Sequence, residues 1–238
     1  MAITGKALIF RVQTSLMRIL SSIFLYFFLL LSFTTHAQIS IGLKAGPDFA
    51  KFVNAVRGND GSGNISTLNS GSITQIYGGL FVDIPLDSGK NFYIRPGVNY
   101  IGAGGQMNGT GNYYNANGFA PNTKYTLRYL DVPVEFLYSP GFDWGRPYVG
   151  LGFYGGALVS GKIKNPDGSS QSIKIGGSST DNFEGADFGY TFSIGLATKV
   201  GFQFGIDYQH GFTKVVPDGV QQTRNSIWGL NLGWVVKL

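Results

Sequence analysis

The sequence of 238 residues contains no cysteine. This absence excludes a disulfide scaffold, a thiolate metal site and a cysteine nucleophile. Charged residues are also scarce. They make up 13% of the chain, whereas an ordinary soluble domain contains roughly 25%. So little charge predicts that much of the folded surface faces something other than water.

The formal net charge of +5 at pH 7 is concentrated at the N-terminus. Three of the 18 basic residues are Lys6, Arg11 and Arg18, and the first 37 positions contain no acidic residue. Residues 38–238 therefore carry 15 basic and 13 acidic residues, a net charge of +2. Because this excess is small, we expect no nucleic-acid partner.

A long apolar run occurs near the N-terminus and nowhere later. Arg11 and Arg18 precede the apolar residues 19–31, and Thr35-His36-Ala37 follow. A basic start, a short apolar stretch and a small-x-Ala site are typical of a secretory signal peptide. A membrane anchor is the alternative, but spanning a bilayer takes about 20 apolar residues. We predict a signal peptide at residues 1–37, cleaved after Ala37, and one β-barrel domain at residues 38–238.

After Gln38, apolar residues alternate with small or polar ones, which is typical of β-strands with two different faces. No sustained helical period is present in this part. The alternation is clear in residues 39–46, 92–100, 130–138, 188–197, 200–208 and 228–238. Residues 76–84 and 148–159 are apolar on both faces. The sequence therefore predicts eight strands.

The connections between these strands alternate between long and short. The long ones are rich in Gly, Asn and Ser and lie near residues 50–72, 102–124, 162–186 and 212–225. The short ones lie near residues 85–90, 139–147 and 198–199. Long loops at one end and tight turns at the other are the layout of an up-and-down transmembrane barrel.

The residue types on the two strand faces favour a membrane barrel over a soluble one. A soluble barrel points its apolar face inward and needs a charged exterior. Here the second face is mostly small, which suits the narrow interior of an eight-stranded barrel. We therefore predict an all-β fold, an eight-stranded antiparallel up-and-down transmembrane β-barrel preceded by the cleaved signal peptide.

Aromatic residues on the apolar face fall at two heights. Their separation of roughly eight to ten residues fits an apolar band about 25 Å tall with an aromatic girdle at each edge. The predicted girdles are Phe92, Tyr138, Phe202 and Trp234 near the short turns, and Tyr100, Tyr190, Tyr208 and Trp228 near the long loops.

Charged residues on the small-residue face are predicted to point into the lumen. They are Lys44, Asp83, Arg95, Asp131, Glu135 and Asp207. Isolated buried charges are costly, so these residues should pair. Our hypothesis is a salt-bridge layer in which Lys44 and Arg95 face Asp83 and Glu135 and close the barrel. The alternative is a proton or ion path.

Two features of the sequence are candidates for a dinucleotide-binding site and for a hydrolase active site. Residues 150–155 match G-x-G-x-x-G, but a dinucleotide site needs this motif between a strand and a helix, and here it lies inside a predicted strand. His210 is the one histidine after the signal peptide. A triad would need a nucleophile and a carboxylate in register, and Asp207, three residues away, lies on the opposite face. Asp218 and Ser226 are the loop candidates.

Three acidic residues near the third long loop, Asp181, Glu184 and Asp187, are the one calcium candidate. Carboxylates are suitable ligands for this ion, but a solvated loop is the simpler interpretation. We therefore predict no catalytic residue, no metal and no cofactor.

Four segments resemble the PorT-like outer-membrane β-barrel family. They are Gly42-Leu43-Lys44-Ala45-Gly46, Leu127-Arg128-Tyr129-Leu130-Asp131-Val132-Pro133-Val134, Arg146-Pro147-Tyr148-Val149-Gly150-Leu151-Gly152 and Asp187-Phe188-Gly189-Tyr190. An acidic residue and a proline inside a regular barrel strand are the most specific feature. The resemblance implies a small Gram-negative outer-membrane barrel without a catalytic motif. The named member of the family is associated with protein export by the type IX system.

These observations lead to one expected function and two alternatives. We expect a non-catalytic integral outer-membrane protein with a structural or accessory role that includes assistance to protein export. Its expected partners are outer-membrane lipid and other envelope or secretion proteins. The first alternative is a narrow channel for small ions or solutes. The second is an outer-membrane enzyme that uses His210.

Overall fold

The computed structural model describes residues 39–53, 57–59, 65–67, 69–108, 122–177, 181–216 and 223–238. The predicted signal peptide at residues 1–37 lies outside these residues. The described part contains eight long strands, which we number in chain order. They are β1 (Ser40–Val53), β2 (Ile73–Pro85), β3 (Phe92–Asn108), β4 (Lys124–Tyr138), β5 (Gly145–Lys164), β6 (Ala186–Thr198), β7 (Phe202–Gly211) and β8 (Arg224–Lys237).

The eight strands close into an antiparallel barrel. Each strand pairs with its neighbour in the chain. The first and last strands also pair, with Ser40 opposite Lys237 and Phe49 opposite Trp228. The predicted eight-stranded antiparallel barrel is thereby confirmed. No helix in the described ranges is long and apolar enough to cross a membrane.

The connections divide between the two ends as predicted. Residues 86–91, 139–144 and 199–201 form the short turns at one end, which we call the turn end. The long connections lie at the other end, the loop end. They include the short strands Arg57–Asn59, Ile65–Thr67, Asn69–Gly71 and Ser170–Ser172.

Several strands extend further toward the loop end than the sequence predicted. Residues 102–124 were expected to form a loop, yet β3 runs to Asn108 and β4 begins at Lys124. Glycines were the source of this error. Gly104 has a φ of 117°, and a Cβ at this position would overlap the carbonyl of Tyr125 on β4. Here glycine permits a close strand pairing rather than marking a loop.

The side chains alternate between an exposed apolar exterior and a buried interior. Leu43 and Leu232, for example, are 54% and 63% exposed on the outer wall. The largest fully buried side chains include Tyr125, Met107 and Leu127, which point into the barrel. The packed core of this protein is therefore its lumen, and the outer wall is available for contact with lipid.

Candidate functional site in the barrel lumen

Glycines on the inner wall make room for large lumen side chains. A Cβ on Gly42 would overlap the ring of Phe81. A Cβ on either Gly195 or Gly205 would overlap the hydroxyl end of Tyr148. Because an eight-stranded barrel has an interior only wide enough for side chains, each large aromatic residue requires such a gap. The glycine-rich inner face and the bulky lumen residues therefore depend on each other.

Arg95 on β3 and Asp83 on β2 form a bidentate ion pair near the turn end. The Arg95 Nε and Nη2 atoms donate to the two Asp83 oxygens at 2.5 and 2.8 Å. The guanidinium also lies over the Phe81 and Tyr148 rings, at 4.2 and 4.8 Å from their centroids. Arg95 Nη2 reaches Gln203 Oε1 at 3.4 Å. Arg95 thus links β2, β3, β5 and β7 across the lumen.

Lys44 on β1 pairs with Asp207 on β7 rather than with Asp83 or Glu135, which corrects the predicted layer. The Lys44 Nζ atom lies 2.7 Å from Asp207 Oδ2. The same oxygen accepts hydrogen bonds from Tyr77 Oη at 2.7 Å and Asn231 Nδ2 at 3.1 Å. The reason for the correction is strand tilt. The strands of a barrel are staggered, so residues at equal heights in the sequence pattern are not the ones that meet across the lumen.

Two predicted lumen carboxylates on β4 are buried without an ion pair. Asp131 is 1% exposed, and its Oδ2 accepts a hydrogen bond from Gln209 Nε2 at 2.7 Å. Glu135 is 3% exposed, and its Oε1 atom has no hydrogen-bond partner among the described residues. The side-chain amide of Gln209 therefore takes the place of the cation that we expected to pair with Asp131.

Sequence reasoning missed two further lumen carboxylates. Asp48 on β1 is fully buried and accepts a hydrogen bond from the Gly102 amide at 2.8 Å. It lies four residues after Lys44 and therefore on the same strand face, so alternation alone could have found it. Asp187, considered for the calcium site, lies in β6, and its Oδ2 accepts hydrogen bonds from Asn225 and Tyr154 at 2.9 and 3.2 Å.

An apolar cluster fills the lumen toward the loop end. Phe52, Tyr125 and Phe183 pack together, with ring centroids 5.8 to 6.3 Å apart. Met107 and Leu127 are fully buried beside them. Phe183 belongs to the connection after β5, so a loop residue closes the cluster. This cluster was not predicted from the sequence, and Phe52, Met107 and Phe183 lie in segments that were predicted to be loops.

A small cavity lies in the middle of the lumen. The cavity beside Lys44, Glu135 and Asp207 has a volume of about 10 Å³, which is the space of about one water molecule. A larger cavity of about 490 Å³ lies at the turn end, where Arg95, Arg146 and Tyr148 contribute to its lining. The ionic and apolar layers therefore separate the turn-end cavity from the loop end.

The aromatic residues predicted to form girdles lie on the outer wall in contacting groups. At the turn end, Phe92 packs on Tyr138 and Phe202 on Trp234, with centroids 5.2 and 4.5 Å apart. Toward the loop end, Tyr208 packs on Trp228 at 4.6 Å and on Tyr190 at 6.0 Å. Tyr100 is 46% exposed on β3.

His210 lies on the outer wall and not in the lumen. Its ring packs on Tyr190 with centroids 5.5 Å apart, and the Tyr208 hydroxyl lies 3.4 Å from its Nδ1 atom. Ser226 is opposite His210 in the strand pairing, but its hydroxyl contacts Tyr208. Asp207 is engaged with Lys44 inside the barrel, and Asp218 lies outside the described residues.

The structure also shows where the glycine-rich motif and the calcium candidates lie. Residues 150–155 lie within β5, as predicted for this glycine-rich motif. Within the described ranges, no three His, Cys, Asp or Glu side chains are grouped so that they could hold a metal ion. Asp187 is separated from the loop that carries Asp181 and Glu184 because its side chain points into the barrel.

Several solved structures are similar to this chain. The crystal structure of OprG from Pseudomonas aeruginosa aligns with a TM-score of 0.46 and 11% identity over 85% of this chain and 98% of that chain. Neisserial surface protein A aligns with a TM-score of 0.43 and 11% identity over 82% of this chain and 96% of that chain. For Ail of Yersinia pestis, the TM-score is 0.41 and the identity 11%, over 84% and 99% of the two chains.

The sequence itself identifies the family. No curated protein matches this sequence. The outer membrane protein beta-barrel domain family, however, matches residues 32–216, which is most of the chain. This match agrees with the closed barrel and its exposed apolar wall. The chain is therefore an integral outer-membrane protein that belongs to the outer membrane protein beta-barrel domain family.

Proposed function

We propose that this protein is a closed, non-catalytic barrel with a structural or accessory role in the outer membrane. The observation that carries this proposal is the filled lumen. Arg95 and Asp83 close it near the turn end, Lys44 and Asp207 cross it at mid-height, and the apolar cluster around Phe52 fills it toward the loop end. A hydrated ion cannot pass these layers without breaking buried ion pairs, which is costly.

Planar-bilayer conductance tests the closed barrel. We expect the purified full-length chain to insert without producing discrete current steps above those of the protein-free bilayer. A porin of known conductance, inserted under the same conditions, is the positive control. The variant Arg95→Ala/Tyr148→Ala empties only the turn-end layer, so it should also produce no current steps, because the Lys44–Asp207 pair and the apolar cluster still close the lumen. Discrete steps from the natural chain would refute the closed barrel and favour the narrow channel.

The accessory part of the proposal rests on the resemblance to the PorT-like family, which implies assistance to protein export. With a filled lumen, such assistance would act through the turns and loops and not through the pore. Deleting the gene and comparing the secreted proteins tests this part. We expect export of a subset of proteins to fall and to recover on complementation. An unchanged set of secreted proteins would refute the export role and leave the structural one.

We also propose that residues 1–37 are the cleaved signal peptide that directs the chain to the cell envelope. The basic start, the apolar run and the site at Ala37 support this assignment.

A further inference from the structure

Four cations lie together on the outer wall of β4 and β5 near the loop end. Lys124 is directly opposite Lys164, Lys162 is opposite Thr126, and Arg128 is opposite Ser160. Residues that are opposite in an antiparallel pair share a face of the sheet. The lumen face of β4 carries the buried Tyr125, Leu127 and Tyr129, so these cations are on the outer face. We call Lys124, Arg128, Lys162 and Lys164 the basic patch.

The basic patch begins immediately above the loop-side aromatic residues. Tyr100 on β3 is opposite Leu130 on β4. Along β4, Arg128 lies two residues beyond Leu130 toward the loop end. The position opposite Lys162 lies four residues beyond Leu130, and Lys124 lies six residues beyond it. At about 3.3 Å per residue and a strand tilt near 40°, these positions lie about 5, 10 and 15 Å above the aromatic level. The patch thus continues the outer wall upward from its apolar band.

Arg128 is held at the lower edge of the basic patch. Its Nη1 atom donates to the Ile76 carbonyl on β2 at 2.7 Å. Its guanidinium also lies 5.7 Å from the centroid of the Tyr100 ring. These contacts use one donor and one face of the group. The remaining donors of the guanidinium are therefore positioned at the border of the aromatic level.

No ion pair in the described part of the chain involves the basic patch. The ion pairs found there are Lys44–Asp207, Arg95–Asp83 and Lys199–Asp143. Like charges directly opposite in a sheet destabilise it, so the Lys124–Lys164 pair is unfavourable without an anion.

The residues opposite the three lysines of the patch on the adjoining strands are neutral and polar, and one carboxylate lies in the turn beside them. Gln106 is opposite Lys124 on β3, and Ser170 and Ser172 are opposite Lys164 and Lys162. Asp167, in the turn between Lys164 and Ser170, directs its Oδ1 to the Ser169 amide and hydroxyl at 2.8 and 2.6 Å. These two hydrogen bonds hold the pKa of the Asp167 carboxyl below its ordinary value.

Outer-membrane barrels have short periplasmic turns and long extracellular loops, so the loop end lies at the outer leaflet. We propose that the basic patch binds the phosphate groups of the phosphorylated glycolipid of that leaflet, lipopolysaccharide. Directly below the patch, Leu130 and Val132 are 46% and 51% exposed on the outer wall, where they would contact acyl chains. A glycerophospholipid carries its phosphate at one level, whereas this patch spans about 10 Å in height. Phosphates on successive sugars match that height, and the serine hydroxyls beside the patch suit the sugars.

Binding of lipopolysaccharide to the full-length chain in nanodiscs tests this assignment. The variant is Lys124→Gln/Lys162→Gln/Lys164→Gln. A matched control is Lys90→Gln/Lys199→Gln/Lys237→Gln, which makes the same change of charge at the turn end. A lysine near an anionic lipid surface contributes about a factor of five in affinity. We therefore expect the patch variant to bind about 100-fold more weakly, and the control to stay within about twofold of the natural chain.

The choice of lipid and a conservative variant separate the possible outcomes. Lipopolysaccharide stripped of its phosphates should bind as weakly to the natural chain as the intact lipid binds to the patch variant. Lys124→Arg/Lys162→Arg/Lys164→Arg should restore binding. An unshifted electrophoretic mobility of the unboiled variants shows that they are folded. Equal affinity of the patch variant and the natural chain would refute the site. Equal binding of phosphatidylglycerol would refute the assignment to a glycolipid.

Discussion

Replacing Arg95 by alanine should destabilise the barrel without preventing its insertion. The side chain is 5% exposed and makes two hydrogen bonds to Asp83, which is itself 15% exposed. Removing one partner of a buried ion pair destabilises a protein by about 3–5 kcal/mol. Because Asp83 borders the turn-end cavity and can be hydrated there, we expect a loss near the lower limit. A loss of about 3 kcal/mol is more than a hundredfold in the folding equilibrium.

Reversible unfolding by denaturant in lipid vesicles measures this loss through the fluorescence of the tryptophans. The surface control is Lys199→Ala, since Lys199 lies 3.9 Å from Asp143 and both side chains are largely exposed. Exposed pairs contribute little, so this control should not shift the transition measurably. The double variant Arg95→Ala/Asp83→Ala should recover part of the loss because it leaves no uncompensated charge. If Arg95→Ala unfolds like Lys199→Ala, the ionic layer does not stabilise the lumen.

Two further substitutions, each with a matched control, test the inner and the outer wall. Gly195→Val places a side chain against the Tyr148 hydroxyl and should lower the free energy of unfolding by about 1–3 kcal/mol in the same assay. Gly155→Val should leave it unchanged, because the space around the Cβ position of Gly155 is open. Leu232→Arg puts a charge into the apolar band and should cost about 2–4 kcal/mol, whereas Leu86→Arg, in a turn, should cost less than about 1 kcal/mol. Equal effects within either pair would contradict the assigned faces.

The sequence was sufficient to predict the barrel because its determinants are local. Alternation with a period of two is visible within a few residues, and it assigned Leu232 to the outer face and Arg95 to the inner face. Glycine, asparagine and serine marked the connections, so strand number and order followed. These signals do not report how far a strand extends beyond the membrane, which is why β3 and β5 are longer than predicted.

The lumen contacts could not be predicted because they depend on the whole barrel. Lys44 and Asp207 lie 163 positions apart in the sequence, on strands separated by β8. Which residues meet across the lumen is set by the stagger of all eight strands, and no single strand contains that information. The contact between Arg95 and Asp83 was easier to predict, since these residues belong to adjacent strands joined by a short turn.

The basic patch was missed for a different reason, which concerns the use of net charge. Residues 38–238 carry a net charge of +2, and from this small value we predicted only that no nucleic acid is bound. The structure buries or half-buries six carboxylates and two cations in the lumen, and without them the same sequence contains 13 basic and seven acidic residues, a net charge of +6. A barrel separates its inner charges from its surroundings by a wall of apolar side chains. The charge that a lipid headgroup meets is therefore that of the outer wall, and its sign and position are set by the fold.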